Sequence, residues 1–237
     1  EWNKAIALDP KRPDIYINRG IAQSQRGKWQ EALRDFEKAL ALGGDKGIVY
    51  NSLGHIHFQL KNYQKAIDNY TKALKFIPEN PLIYFSRGIA YRNVGNSAAA
   101  LADFRKAVRL NADFLEAYVN KAGANLSLGD YEAVIKDLSE IIRINPESIL
   151  AYYNRGNIYF SKGEWESAIG EWSRAIELDP NQAVLYINRG VANSKLGKYN
   201  EAIADFEKAL ANHPNDGATY NRLAYIYHLQ KNYSKAA

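Results

Sequence analysis

Neither cysteine nor methionine occurs anywhere in the 237 residues. The first absence excludes disulfides, cysteine-zinc sites and thiol catalysis, and it favours a cytoplasmic location. The second leaves the chain without an initiator, and because Glu1 falls in the middle of a repeat, the sequence is expected to be a fragment of a longer chain. No apolar run approaches the roughly 20 residues of a membrane helix, and no basic start leads into an apolar stretch as in a secretory signal. No membrane insertion is expected. Charged residues make up 24% of the chain, and the net charge is +5, with Lys and Arg dispersed among Asp and Glu rather than set in blocks. That distribution argues against a nucleic-acid partner. Histidine is scarce too: His55 and His57 stand two residues apart, about 200° around a helix, so they do not converge on one metal. No glycine-rich loop follows a strand pattern, and no serine, histidine and acid combination suggests a nucleophile. The chain reads as no enzyme, with no cofactor and no metal site.

What the sequence does contain is a period. Tyr16, Tyr50, Tyr84, Tyr118, Tyr152, Tyr186 and Tyr220 fall 34 residues apart, and four positions after each comes Gly20, Gly54, Gly88, Ala122, Gly156, Gly190 or Ala224. A fixed period of this length is the signature of a solenoid built from one repeated supersecondary unit. Taking Pro13 as position 1, complete units run over 13–46, 47–80, 81–114, 115–148, 149–182 and 183–216. Residues 1–12 end a preceding repeat, 217–237 begin a further one, and the whole reads as one continuous domain with no residue left for a linker. Inside each unit, apolar residues recur at spacings of three and four, the helical period, in two stretches called here A and B. The break between them carries Gly27, Gly95, Gly129, Gly163 and Gly197, which suit the left-handed close of a helix; Lys61 and Lys231 depart from this. Pro10, Pro78, Pro146, Pro180 and Pro214 stop helix B, while Gly44 and Ala112 stand where the other stops have proline.

On helix B, position 20 reads Ala32, Ala66, Ala100, Ala168, Ala202 and Ala236, and these are expected to face the glycines of helix A, small against small. Phe36, Tyr70, Phe104, Leu138, Trp172 and Phe206 at position 24 supply the bulk, with alanine or Ile141 three residues later. The fourth unit, with Ala122, Val134, Leu138 and Ile141, trades aromatic bulk for aliphatic and is expected to be looser or differently angled. The full pattern, a Tyr, then Gly or Ala, then small, aromatic and small residues on helix B and a closing Pro, resembles the tetratricopeptide repeat family over the whole chain. The resemblance implies an all-α fold, an α-solenoid of stacked antiparallel helix pairs in a right-handed superhelix, and a role as a protein-interaction scaffold. The Asn-x-Ser/Thr matches at Asn69, Asn125 and Asn232 fall in helical stretches and read as chance.

Position 7 is usually leucine in that family. Here it reads Arg19, Leu53, Arg87, Lys121, Arg155, Arg189 and Leu223, and position 23 reads Asp35, Asn69, Asp103, Asp137, Glu171 and Asp205. The columns change together within each unit, so bridges inside the repeat are expected. The alternative is an arginine row that reads an acidic ligand.

By the same resemblance, positions 2, 5, 6, 9, 12 and 13 of helix A line the concave side. Position 6 carries Asn18, Asn120, Asn154 and Asn188, joined by Asn157 at position 9. A carboxamide both donates and accepts, so a row of them can hydrogen-bond successive peptide groups of an extended chain. The row looks like the asparagine ladder of the O-linked N-acetylglucosamine transferase superhelix. Ile17, Phe85, Val119, Tyr153 and Ile187 at position 5, with Ile48, Leu82, Leu150 and Val184 at position 2, are expected to expose apolar surface beside it, as binding sites commonly do. The family's carboxylate clamp for chaperone tails is excluded, because positions 2 and 5 contain no lysine. The expected partner is therefore an extended or helical protein segment. Two other roles stay open: substrate recognition for an enzyme whose catalytic domain lies elsewhere, and a homo-oligomer that self-associates through exposed terminal repeats.

Overall fold

The computed structural model describes residues 1–231 together with Lys235. Those residues form fourteen α-helices and no strand, the all-α solenoid repeat that the periodicity predicts. Asn232 and Ala236 lie outside the described residues. Two compact units divide the chain, Glu1–Gly129 and Asp130–Ala237. The first contains α1 (Trp2–Leu8), α2 (Pro13–Gln25), α3 (Trp29–Ala41), α4 (Lys46–Gln59), α5 (Tyr63–Leu74), α6 (Pro81–Asn93), α7 (Ser97–Leu110) and α8 (Leu115–Ser127). The second contains α9 (Tyr131–Ile144), α10 (Ile149–Ser161), α11 (Trp165–Leu178), α12 (Ala183–Lys195), α13 (Tyr199–Asn212) and α14 (Gly217–Leu229). Even-numbered helices are the A stretches and odd-numbered helices the B stretches. The division falls inside the fourth 34-residue unit, where position 24 is Leu138 rather than an aromatic.

Helices α2 and α3, α4 and α5, and α6 and α7 form hairpins in the first unit, as do α10 with α11 and α12 with α13 in the second. The turns inside these hairpins need a left-handed residue. Gly27, Gly95, Gly163 and Gly197 hold φ between +71° and +80°, and Lys61 and Lys231 are driven to +59° at the equivalent place. An L-residue in that region costs about 1–2 kcal/mol. Lys61→Gly is accordingly expected to raise stability by about 1 kcal/mol. A urea midpoint for the variant at or below that of the parent would show that Lys61 bears no strain.

The hairpins close because each glycine of helix A sits against the ring at position 24 of helix B. A Cβ at Gly54 would lie 2.7 Å from Tyr70, at Gly88 2.7 Å from Phe104, at Gly156 2.6 Å from Trp172 and at Gly190 2.8 Å from Phe206. This corrects the expected meeting of small with small: glycine clears space for an aromatic ring, and the described alanines at positions 20 and 27, one turn before and after it on helix B, are buried. Each A helix also packs on the B helix before it. Two columns that the sequence reading passed over do this work. Position 3 (Val49, Ile83, Leu185) and position 10 (Ile56, Ala90, Ala192) are nearly or wholly buried, completing a core that no single hairpin could enclose.

Candidate functional site: the helix A wall and its charged neighbours

The position 7 arginines turn towards helix B. Arg19 donates through Nε and Nη2 to Asp35 at 2.7 and 2.6 Å, and Arg87 does the same to Asp103 at 2.8 and 2.7 Å. Arg189 reaches Asp205 at 2.6 Å through Nη2. Arg155 reaches Glu171 through Nη2 alone at 2.9 Å, and its Nε is buried without a partner, because the longer glutamate does not seat both donors of the fork. In the four repeats with a basic residue here that lie within one compact unit, the expected internal bridge therefore forms. The arginines' charge is spent on it, which overturns the reading of this row as an acid-binding site.

The same guanidinium does something the sequence reading missed. Nη1 of Arg19, Arg87, Arg155 and Arg189 donates to Asn3, Thr71, Ser139 and Ser173, at 2.7, 3.0, 2.8 and 2.9 Å, on the preceding helix B. Each also lies over the tyrosine three residues earlier, 5.6 to 5.9 Å from the ring centroid. The signal was present in position 25: short acceptors precede every arginine, whereas Glu37 and Glu207 precede Leu53 and Leu223.

In the first compact unit the A helices present a groove of about 270 Å³ lined by Gln25 of α2, Asn51, Ser52 and His55 of α4, and Leu82 and Ser86 of α6. Its floor includes the Phe36 and Tyr70 rings, visible because the glycines beside them carry no side chain. A second recess of about 220 Å³ shares His55, Tyr70 and Ser86 and adds Phe58, Phe85 and Ile89. Burial pushes the Tyr70 hydroxyl up to about 12, against the opposing pull of its hydrogen bond with Ser86, so it stays neutral. Asn18 and Val119 are exposed, while Phe85 is half-buried against Phe104 and Phe114 at 5.9 and 4.8 Å. Asn120 is already engaged: its Nδ2 donates to the Glu116 carbonyl at 2.7 Å and its Oδ1 accepts from Arg92. Ile17 does not belong to the exposed surface. It is buried where Gly44 replaces the usual proline and the loop folds back so closely that a Cβ at Gly44 would lie 3.3 Å from Ile17 Cδ1.

In the second compact unit, α10 and α12 bring Asn157 and Asn188 together, with Nδ2 of Asn188 donating to Oδ1 of Asn157 at 3.3 Å. Asn154, half-buried one turn away, makes no side-chain hydrogen bond among the described residues. Beside them Leu150, Tyr153 and Val184 border an apolar recess of about 390 Å³. Leu150 and Val184 are exposed, as are Ile48 and Leu82 of the same column, and Ile187 is half-buried against Ala183, Tyr186 and Ala209. The serine-lined groove on α4 and α6 lies outside the expected site residues: Ser52 and Ser86 belong to the position 6 column and His55 to position 9, but only the asparagines of those columns were candidates.

No helix among the described residues is long and apolar enough to cross a membrane. A search of the curated proteins returned no match. Among solved structures, that of the protein MamA is 28% identical with a TM-score of 0.63, covering 73% of this chain and 94% of that one. The protein YrrB, described as a TPR protein with an unusual peptide-binding site, is 24% identical with a TM-score of 0.67, covering 78% and 95%. The C-terminal part of a TPR repeat-containing protein from Cytophaga hutchinsonii has a TM-score of 0.74 at 18% identity, covering 93% and 91%. Family models described as TPR repeat match residues 54–95, 124–163 and 156–197, and models described as tetratricopeptide repeat match 13–43, 82–114, 183–216 and 206–237. Proteins built this way are typically interaction scaffolds and generally not catalysts. With the glycine-to-ring closure repeated in five hairpins and these models spread along its length, the chain belongs to the tetratricopeptide repeat family.

Proposed function

We propose that this protein is a non-catalytic interaction module whose helix A wall holds an extended segment of a partner protein. The observation that carries this reading is the α10 and α12 wall, where Asn154, Asn157 and Asn188 stand beside the exposed Leu150 and Val184. Carboxamides there hydrogen-bond the partner's backbone, and the apolar recess takes its side chains, which is how affinity and specificity divide when an extended peptide is recognised. The groove on α4 and α6 works the same way with Ser52, Ser86 and His55 as its polar groups. Asn120 contributes only if it releases Arg92, and Ile17 supports the wall from beneath. Positions 2 and 5 lack the lysines that gripping a terminal carboxylate requires, so the segment is bound along its length and not by its end.

Selection from a displayed random peptide library on the folded protein tests this. Asn154→Ala combined with Asn188→Ala should weaken the selected peptide by about tenfold to a hundredfold, from the loss of two hydrogen bonds of about 1 kcal/mol or more each. Titration calorimetry measures the affinity and circular dichroism confirms the fold. Undiminished affinity in a folded double variant would remove this wall from the binding surface.

A further inference from the structure

Charge is not spread evenly along the chain. Residues 46–114 hold ten Lys and Arg against four Asp and Glu, whereas residues 115–182 hold six against eleven. The excess gathers at the C-terminal ends of the B helices α5 and α7, away from the helix A wall, in two repeat positions three residues apart. Positions 26 and 29 are Lys72 and Lys75 in one repeat, Lys106 and Arg109 in the next. In the following two repeats the same pair is Glu140 with Arg143 and Arg174 with Glu177, and there it closes on itself at 2.8 and 2.7 Å. Among the described residues, no carboxylate lies within bridging distance of Lys72, Lys75, Lys106 or Arg109. These two repeats place a second cation, tolerated at a helix C-terminus, where their neighbours close a bridge. A bridge replaced by a second cation in two successive repeats leaves a strip of positive charge that suits an acidic ligand.

The surroundings narrow the ligand. Lys72 lies over the Tyr50 ring at 5.4 Å, Tyr50 stacks with the half-exposed Phe76 at 6.3 Å, Lys46 lies over Phe76 at 5.9 Å, and Lys106 lies over Tyr84 at 5.9 Å. Ring faces that are already covered by ammonium groups and by one another leave successive nucleic-acid bases nowhere to stack, which is what binding a single strand relies on. Carboxylates spaced along a polypeptide fit instead: they replace the missing Glu at each repeat, while apolar side chains between them lie along the exposed edge of Phe76. We infer that the outer face of α5 and α7 is a second interaction surface, for an acidic polypeptide segment interspersed with apolar residues. It is independent of the reading proposed for the helix A wall.

The test uses substitutions that complete the bridges. Lys75→Glu with Arg109→Glu recreates the closed pair of the neighbouring repeats, so helicity and unfolding midpoint should hold or rise. A short fluorescein-labelled peptide alternating Glu with Leu and Phe is titrated against parent and variant by anisotropy at low and physiological salt, with labelled oligothymidylate as the competing class. The expected result is salt-sensitive binding of the peptide that falls roughly tenfold in the variant. Lys75→Gln with Arg109→Gln should give a smaller loss in the same direction. Three results would overturn the inference: undiminished peptide binding in the folded variant, tighter binding of oligothymidylate than of peptide, or an equal loss in Lys198→Glu with Lys208→Glu on the second compact unit.

Discussion

Gly88→Ala is expected to lower stability by about 3 kcal/mol, at the upper end of what a single added methyl does in a full core. The added Cβ would lie 2.7 Å from Cε1 and 2.9 Å from Cδ1 of Phe104. That ring is fully buried beside Ala100 and Ala107, also fully buried, and meets Phe85 at 5.9 Å, so it has little room to retreat. Either the hairpin opens or the ring leaves its rotamer. Urea unfolding followed by circular dichroism reads the loss, and Phe104→Leu in the same chain should recover most of it. The sequence itself contains that solution: in the fourth unit alanine at position 8 accompanies leucine at position 24, as Ala122 and Leu138. A midpoint for Gly88→Ala within error of the parent would mean that the closure tolerates a methyl group and that glycine is present for another reason.

Removing one partner of the Arg87 and Asp103 bridge should cost about as much. The Asp103 side chain is 6% exposed and that of Arg87 16%, so a lone survivor is a charge or a polar fork held largely out of water. Breaking such a pair costs about 3 kcal/mol or more, whereas replacing both members can be nearly neutral. Arg87→Leu and Asp103→Asn should each destabilise by about 3 kcal/mol, and the double variant by about 1. The repeat over 47–80 supports that expectation, because Leu53 and Asn69 occupy the same two positions. If the double variant loses the sum of the two singles, the residues act independently and the bridge is not the unit of stability.

The elements that sequence reading recovered are those with a strict column. The two helices of each repeat followed from apolar spacing, the left-handed turn from glycine, and the bridges from the joint change of positions 7 and 23. It failed where a column has two neighbours. Gly54 and Ala66 are both small, and only the structure shows that the Tyr70 ring lies at the glycine, because periodicity places a residue on a face without saying which neighbour it touches. Ile17 was misplaced for a related reason: its burial depends on a loop made by Gly43 and Gly44, an irregularity that no other repeat shares. The candidate site was legible in part. Exposed Leu82, Leu150 and Val184 followed from position alone, whereas the engagement of Asn120 by Arg92 pairs residues of successive repeats that vary independently.

The position 7 arginine also keeps count. Its acceptors lie 16 residues ahead, on its own helix B, and 16 residues behind, on the helix B before. Those acceptors stand two positions apart in the repeat, so the period of 34 is the sum of two fixed reaches and that offset. A residue inserted or lost within the helical part of either reach moves one acceptor about 100° around its helix and breaks a bond, while gain or loss of a whole unit preserves the spacing. The guanidinium is thus a ruler for the chain's own length, one that permits growth only in complete steps.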